Sequence, residues 1–200
     1  MLQPLPCAVT VDIEGGFSPD PDEVGALGAT LRDLGAVGVN VEDGAEDGSL
    51  HDPQHQAAVL RAIRSAAPEL FVNARIDTYW LATAGNDLRD ATLQRAWTYL
   101  EAGADGIFVP GVARDDDVAH LVQHIAAPLN VLFLPVHHTV ADLAAHGVAR
   151  ISTGSLLFRH ALHATVAAAI AIRDGTPLIA GVPSYADVQD LGRAACPPER

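Results

Sequence analysis

The chain has 200 residues, a length that suits one domain with a sizeable core. Its formal net charge of −13 argues against a nucleic-acid partner, because binding to phosphates needs clustered basic residues. All 12 basic residues are arginine, and the absence of lysine excludes Schiff-base aldolases, pyridoxal enzymes and P-loop phosphate sites. No apolar run approaches the ~18 residues that span a bilayer, and no basic flank marks a signal peptide. We therefore expect a cytoplasmic protein without a membrane partner.

Short apolar, β-rich segments alternate with helical segments along the chain. Asp-Pro pairs at 20–21 and 52–53 predict helix starts, and glycines at 35, 103, 147 and 175 predict helix ends. The predicted strands cover residues 7–12, 37–42, 70–75, 106–109, 129–134 and 148–152. The predicted helices cover residues 21–34, 53–66, 87–102, 115–125, 140–145 and 155–173.

This order predicts an α/β fold with a parallel sheet, because each strand precedes a helix and most strands are apolar enough for burial on both faces. No glycine-rich nucleotide fingerprint opens a helix, which favours a TIM-type (β/α) barrel over a doubly wound sheet. A complete barrel has eight βα units, so the six visible here indicate an incomplete one. We predict a single barrel domain over residues 1–200, with a carboxyl-terminal tail over 176–200 that holds a short helix at 184–191.

Acidic residues end the first two predicted strands, where parallel α/β folds gather their active sites. Asp12 and Glu14 are two residues apart, which in an extended chain puts both carboxylates on one face, where they repel unless a cation lies between them. Glu42 ends the second strand. Oxygen donors without histidine predict Mg²⁺ or Mn²⁺. A solvated turn at Asp12, or capping by the Glu42-Asp43 pair, is the alternative.

Arg75 ends the third predicted strand, and an arginine at such a position is costly unless it is paired. One interpretation is a structural ion pair with Asp77 or Glu42. The functional interpretation is a two-pronged clamp on a substrate carboxylate beside the metal. We therefore expect a small, carboxylate-bearing substrate.

Three later positions carry weaker signals. Asn130 lies in the fifth strand, where its amide either joins a core network or contacts a ligand. Ser152 and Gly154 precede the longest helix, where hydroxyl and backbone N–H groups suit either an anion or an ordinary helix cap. The pair His137-His138 follows a proline and is expected at the surface.

An ordered set of five segments resembles the isocitrate lyase/phosphoenolpyruvate mutase superfamily. The similarity runs from about residue 8 to residue 174, and the order and spacing of the segments make it specific. The segments are VDIEGGF (11–17), VNVED (39–43), NARID (73–77), YLEAGADGIFVP (99–110) and PLNV (128–131).

The resemblance implies a (β/α)₈ barrel that forms a homo-oligomer, a tetramer or a dimer, in which the last barrel helix is exchanged between subunits. It implies Mg²⁺ bound directly by Asp12, with Glu14 and Glu42 acting through metal-bound waters. Arg75 would bind the substrate carboxylate and Asn130 would contact the substrate. On this basis we assign catalytic roles to Asp12, Glu42 and Arg75. The substrate-binding residues would be Arg75, Asn130, Ser152 and Gly154.

The chain departs from this superfamily at three places. The lyases carry a basic loop with a catalytic cysteine shortly after the Glu-Asp pair, but residues 44–52 read GAEDGSLHD. The fourth strand exits as Val109-Pro110-Gly111, without the Pro-Glu of those lyases. The first two βα units of the superfamily would precede Val9. These departures argue against isocitrate cleavage itself.

The leading hypothesis is a Mg²⁺-dependent lyase or phosphonomutase that makes or breaks a C–C or P–C bond of a small 2-oxo acid or enolpyruvate compound. Such a substrate chelates the metal through its carboxylate and keto oxygens, which stabilises an enolate-like intermediate. The alternatives are an oxaloacetate-type hydrolase or decarboxylase, and a catalytically impaired binding or scaffold protein.

Overall fold

A computed structural model of the protein describes residues 7–81 and 88–195. Its strands are β1 (Thr10–Asp12), β2 (Gly38–Glu42), β3 (Phe71–Arg75), β4 (Gly106–Val109), β5 (Leu129–Leu132) and β6 (Arg150–Ser152). Its helices are α1 (Pro21–Asp33), α2 (Pro53–Ala66), α3 (Thr78–Leu81), α4 (Leu88–Glu101), α5 (Asp115–His124), α6 (Val140–Ala145), α7 (Leu156–Asp174) and α8 (Tyr185–Ala195). The predicted alternation is confirmed; the short helix α3 was not predicted, and the predicted helix start at Asp87 lies outside the described residues.

The six strands form one parallel sheet in the order β1-β2-β3-β4-β5-β6, so each strand pairs with its neighbours in sequence. All five pairings are parallel. Arg150 on β6 donates from Nη2 to Oγ1 of Thr10 on β1 at 3.4 Å, so the sheet curves far enough to bring its two edge strands within reach of one side chain. The α/β class and a partial barrel sheet are therefore confirmed.

The predicted starts of α1 and α2 and the predicted helix-ending glycines are confirmed, for local reasons, whereas α8 continues four residues beyond its predicted end at Leu191. Asp20 accepts the N–H of Asp22, and Asp52 accepts the N–H groups of Gln54 and His55, so both act as N-caps before a proline. The four glycines predicted to end helices all have positive φ, a conformation that costs glycine little. At Gly175 the left-handed residue ends α7 directly.

The core lies between the central strands and the helices that cover them. All four residues of β4 and three of the four in β5 are buried, as expected for strands covered on both faces. The edge strands β1 and β6 contain no buried residue. Burial therefore increases from the edge strands toward the middle of the sheet. Polar residues at the strand ends contrast with this apolar interior.

Residues 8–152 and the residues from Thr153 onward form two compact units, and the second contains α7 and α8. None of the residues in α7 is buried. Alone among the helices of the described residues, α7 is long and apolar enough to cross a membrane, a test that core helices of soluble proteins also pass. Exposed apolar side chains on α7 are Leu157, Phe158, Leu162, Val166, Ile170 and Ile172.

Candidate active site

The chain turns sharply where β1 ends. Asp12 accepts the backbone N–H of Glu14 at Oδ1, 3.0 Å away, and Glu14 and Phe17 have φ values of 49° and 60°. Such left-handed conformations cost a non-glycine residue about 1 kcal/mol or more. The prediction that Asp12 and Glu14 share one face of an extended chain is therefore wrong, because β1 stops at Asp12. Glu14 still lies beside Glu42, whose N–H donates to the Glu14 carbonyl oxygen at 2.8 Å.

Arg75 is held by two carboxylates at the ends of β2 and β3. Its Nη1 lies 2.5 Å from Glu42 Oε2, and its Nε donates to Asp77 Oδ1 at 2.7 Å. The guanidinium carbon is also 5.8 Å from the ring centre of Phe108 and 6.0 Å from that of Trp80. Both ion-pair partners that the sequence suggested for Arg75, Glu42 and Asp77, are thus present. They fix the guanidinium at the strand ends, which is also the arrangement that a carboxylate clamp requires.

The buried carboxylate of Asp77 and the partly buried carboxylate of Glu42 share this one guanidinium. Burial raises the pKa of Glu42; Arg75 lowers it, and the charges of Asp77, Asp12 and Glu14 raise it again. Burial also raises the pKa of Asp77, in spite of its hydrogen bond to Arg75. One positive charge therefore does not balance the acids gathered at these strand ends, and a further cation would relieve their repulsion.

A cleft of about 890 Å³ opens at the ends of the first three strands. Its charged lining consists of Glu14, Glu42, Arg75 and Asp77, together with Glu46 and Asp47 from the following loop. Asp12 lies outside the lining, although its charge acts on Glu42. Four polar residues in the same lining were not predicted from the sequence. They are Ser18, in the loop after β1, and His51, His55 and Gln56, in the loop and helix that follow the second acidic strand end.

Fully buried Asp43 ties the loop after β2 to the rest of the site. Its Oδ2 accepts hydrogen bonds from Arg95 Nη1 at 2.8 Å and from Tyr99 Oη at 2.7 Å, and its Oδ1 accepts the N–H of Asp77 at 2.8 Å. Arg95 also donates to the carbonyl of His51 at 3.0 Å, and the N–H of His51 donates to the carbonyl of Asp43 at 2.9 Å. Burial and the Asp43 charge raise the pKa of Tyr99, so its hydroxyl stays a donor. We call these residues the Asp43 network.

The predicted site residues on β5 and β6 lie together but outside this cleft. Asn130 and Ser152 exchange side-chain hydrogen bonds at 3.1 Å, and neither lines the cleft. Gly154 belongs to the second unit, where it has a φ of 49° shortly before α7. Ser155 occupies the N-cap position of α7 without a side-chain capping bond. The substrate-binding roles of Asn130, Ser152 and Gly154 stay predictions.

The prediction that His137-His138 is a surface pair is wrong for the second residue. His137 is exposed, but His138 is only 4% exposed. The backbone N–H groups of both donate to the carbonyl of Leu134 at 2.9 Å, so a tight turn gives the two side chains different environments. Burial lowers the pKa of His138 and favours its neutral form.

The donor set at the strand ends fits a hard divalent cation in type and in charge. Asp12, Glu14 and Glu42 offer carboxylate oxygens, the ligands that Mg²⁺ and Mn²⁺ prefer, and the charge on Glu42 is under-compensated. Across residues 7–81 and 88–195, however, no three acidic, histidine or cysteine side chains already converge as a metal site. One reason is that Arg75 holds Glu42.

A parallel sheet with an acidic cleft at its strand ends is the arrangement that α/β enzymes of the barrel type use for their active sites. A sequence model of the phosphoenolpyruvate phosphomutase family matches residues 1–173. The chain belongs to this family, and so to the superfamily that unites phosphoenolpyruvate mutases with isocitrate lyases.

Three similar proteins show how far the likeness extends. An uncharacterised protein of Mycobacterium tuberculosis is 45% identical over 188 residues, 94% of this chain and 70% of the relative. A Burkholderia cenocepacia protein provisionally assigned as a phosphonomutase has a solved structure that is 36% identical, with a TM-score of 0.78, over 85% of this chain and 70% of that one. A second structure from that organism, provisionally a lyase/mutase, is 30% identical, with a TM-score of 0.81, over 96% of this chain and 70% of that one. These relatives support an enzyme of this superfamily.

Proposed function

We propose that the protein is a divalent-metal-dependent lyase or phosphonomutase that acts on a small 2-oxo acid or enolpyruvate compound through an enolate-like intermediate. The observation that carries this proposal is a cleft in which the carboxylates of Glu14, Glu42 and Asp77 surround the single guanidinium of Arg75. Burial and three neighbouring carboxylates raise the pKa of Glu42 although Arg75 pairs with it. A site with excess negative charge next to a fixed guanidinium suits a cation and an anionic substrate bound side by side.

The residues at the strand ends have separate proposed roles. Asp12, Glu14 and Glu42 would hold Mg²⁺ or Mn²⁺, the metals that the resemblance implies. Bound there, the cation supplies positive charge that stabilises a developing enolate oxygen. Arg75 binds the substrate carboxylate through its two-pronged edge once part of its contact with Glu42 or Asp77 is given up.

The test uses ligand binding first and turnover second. Calorimetry should show that oxalate, a mimic of enolpyruvate, binds in the presence of Mg²⁺ and much more weakly without it. Turnover is then measured with phosphonopyruvate for P–C chemistry and with 2-methylisocitrate and oxaloacetate for C–C chemistry. Binding of oxalate that is indifferent to Mg²⁺, together with no turnover of any of the three, would contradict the proposal.

We also propose that the protein is a cytoplasmic homo-oligomer, a dimer or tetramer, with neither nucleic acid nor membrane as a partner. The family match extends to residue 173, which includes nearly all of α7 and supports an assignment of this apolar helix to the enzyme. Exposed Phe158, Leu162 and Val166 lie on one helical stripe that a second subunit would cover. Light scattering should show an oligomer that Leu162→Glu weakens, whereas a stable monomer at micromolar concentration would contradict this assembly.

A further inference from the structure

The cleft has a second polar wall that the metal and carboxylate roles leave unused. The rings of His51 and His55 lie with their centres 5.4 Å apart, and both side chains are partly buried in the lining of the cleft. Gln56, in the same lining, is 1% exposed, and its Nε2 has no hydrogen-bond partner among the described residues. A buried donor without a partner is costly, and a polar ligand in the cleft is a partner that would satisfy it.

Hydrogen bonds hold the backbone that carries the two imidazoles. The N–H of His51 donates to the carbonyl of Asp43, and its carbonyl accepts from Arg95, so the Asp43 network fixes this residue at both of its backbone groups. The N–H of His55 donates to the N-capping carboxylate of Asp52 at 3.3 Å, which places His55 in the first turn of α2. Fixed positions of this kind are what a catalytic pair needs.

Three other acid–base groups in or beside the cleft are already committed. Glu42 and Asp77 are bound to Arg75, and Asp43 is buried among its own donors. Imidazole is the side chain that most readily gives and takes protons near neutral pH. The histidine pair is therefore the part of the lining best suited to move a proton.

We propose that His51 and His55 are the proton-transfer residues of this cleft and that the reaction is cleavage or formation of a C–C bond. The inference rests on the proposed function and narrows it. Moving a phosphoryl group between an enolpyruvate oxygen and its carbon puts no new proton on carbon, so it needs no such pair. Breaking a C–C bond leaves a carbanion that must be protonated.

The two rings accept and donate the protons of this cleavage, and the electrons stay within the substrate. In the cleavage direction one neutral imidazole takes the proton from the substrate hydroxyl, and the O–H electron pair becomes the second bond of a new carbonyl group. The neighbouring C–C bond breaks, and its electrons pass to the carbon beside a carboxylate as an enolate. The other ring, an imidazolium, gives its proton to that carbon. The two rings then exchange one proton, directly or through water, to reset the pair.

The experiment follows exchange of carbon-bound protons for deuterium. Pyruvate and succinate, which are carbon acids of the expected size, are incubated with the Mg²⁺-loaded protein in D₂O, and loss of their proton signals is measured by NMR. The variant His51→Asn with His55→Asn should lose exchange by about 100-fold or more. A matched control is His120→Asn with His124→Asn, because that pair lies on α5 with ring centres 4.2 Å apart and outside the cleft lining. It should exchange like the wild type.

A second readout needs no turnover. Titration with oxalate in the presence of Mg²⁺ should shift the ring proton signals of His51 and His55 and leave those of His120 and His124 in place. Oxalate and Mg²⁺ should bind the histidine variant within about threefold of the wild type, since the pair acts on protons and not on binding. Normal binding with wild-type exchange in the double variant, or with no exchange in the wild type, overturns the inference but leaves the proposed function intact. If the wild type shows no Mg²⁺-dependent oxalate binding, both the proposed function and the inference are overturned.

Discussion

The strand ends of the sheet differ in chemistry between its first half, strands β1 to β3, and its second half, strands β5 and β6. The ends of β1, β2 and β3 carry acids around Arg75 and open on a cleft. The last two strands carry the neutral pair of Asn130, within β5, and Ser152, at the end of β6, whose side chains bond to each other. The two halves share one fold and one strand direction, so the difference lies in side-chain chemistry alone.

The first half gathers carboxylates that the protein itself does not fully neutralise. In the first half, the Glu42 and Asp77 carboxylates share one guanidinium, and burial raises the pKa of both. In the second half, each polar group has a neutral partner, and that arrangement is complete without a ligand. We infer that metal and substrate bind at the first half and that the second half mainly supports it.

The largest effect should come from removing the buried anchor of the first half. Asp43→Ala leaves Arg95 as a partly buried charge without its carboxylate and should cost about 3–5 kcal/mol in the free energy of unfolding. Chemical denaturation measures this directly. The control is Asp174→Ala, which removes an exposed ion pair with Arg173 and should leave stability unchanged within error. Equal stability losses in the two variants would mean that the Asp43 network is not an anchor.

The next effect concerns recognition in the first half. Arg75→Lys keeps the positive charge but loses the two-pronged geometry, so the substrate KM, or the oxalate Kd measured with Mg²⁺, should rise at least about tenfold, ~1.4 kcal/mol. Arg114, which is exposed and outside the cleft lining, offers the control substitution Arg114→Lys. If Arg75→Lys binds with wild-type affinity, Arg75 only forms structural ion pairs and does not recognise the substrate.

In the second half we expect a smaller effect of a different kind. Ser152→Ala removes one partner of the Asn130 amide and should lower the free energy of unfolding by about 1 kcal/mol. Oxalate affinity in the presence of Mg²⁺ should stay close to that of the wild type. A large loss of affinity with unchanged stability would instead place Ser152 in the substrate site and end the distinction between the two halves.

The smallest effect is a pH dependence set by Glu42. Because its pKa is raised in the folded protein, mainly by burial, the carboxylate favours the folded state when protonated, and this contribution is lost as pH rises from 4.5 through the raised value. Glu42→Gln does not titrate, so its stability relative to wild type should improve over that pH range. Unfolding curves at several pH values measure the trend. A relative stability that falls with rising pH would contradict this reading of Glu42.

The sequence predicted the frame of the molecule better than its site. Five of the six strand ends, the caps at Asp20 and Asp52 and the helix-ending glycines follow from local rules, and the structure confirms them. The fifth strand ends at Leu132, two residues before its predicted end. The Asp43 network could not be predicted, because its partners Arg95 and Tyr99 are 52 and 56 residues away along the chain. The turn at Glu14 was missed for another reason: positive φ in a non-glycine residue has no pattern in sequence.

The proposed metal site depends on the unbalanced acids at the ends of β1 and β2. Mg²⁺ titration of one double variant tests this site most directly. Asp12→Ala with Glu42→Ala should abolish measurable Mg²⁺ binding in calorimetry while the protein stays folded, because these carboxylates repel one another when no metal is present. Asn130→Ala with Ser152→Ala serves as the matched control from the second half and should bind Mg²⁺ like the wild type. Unchanged Mg²⁺ affinity in the Asp12/Glu42 variant would contradict the metal site and the proposed function that depends on it.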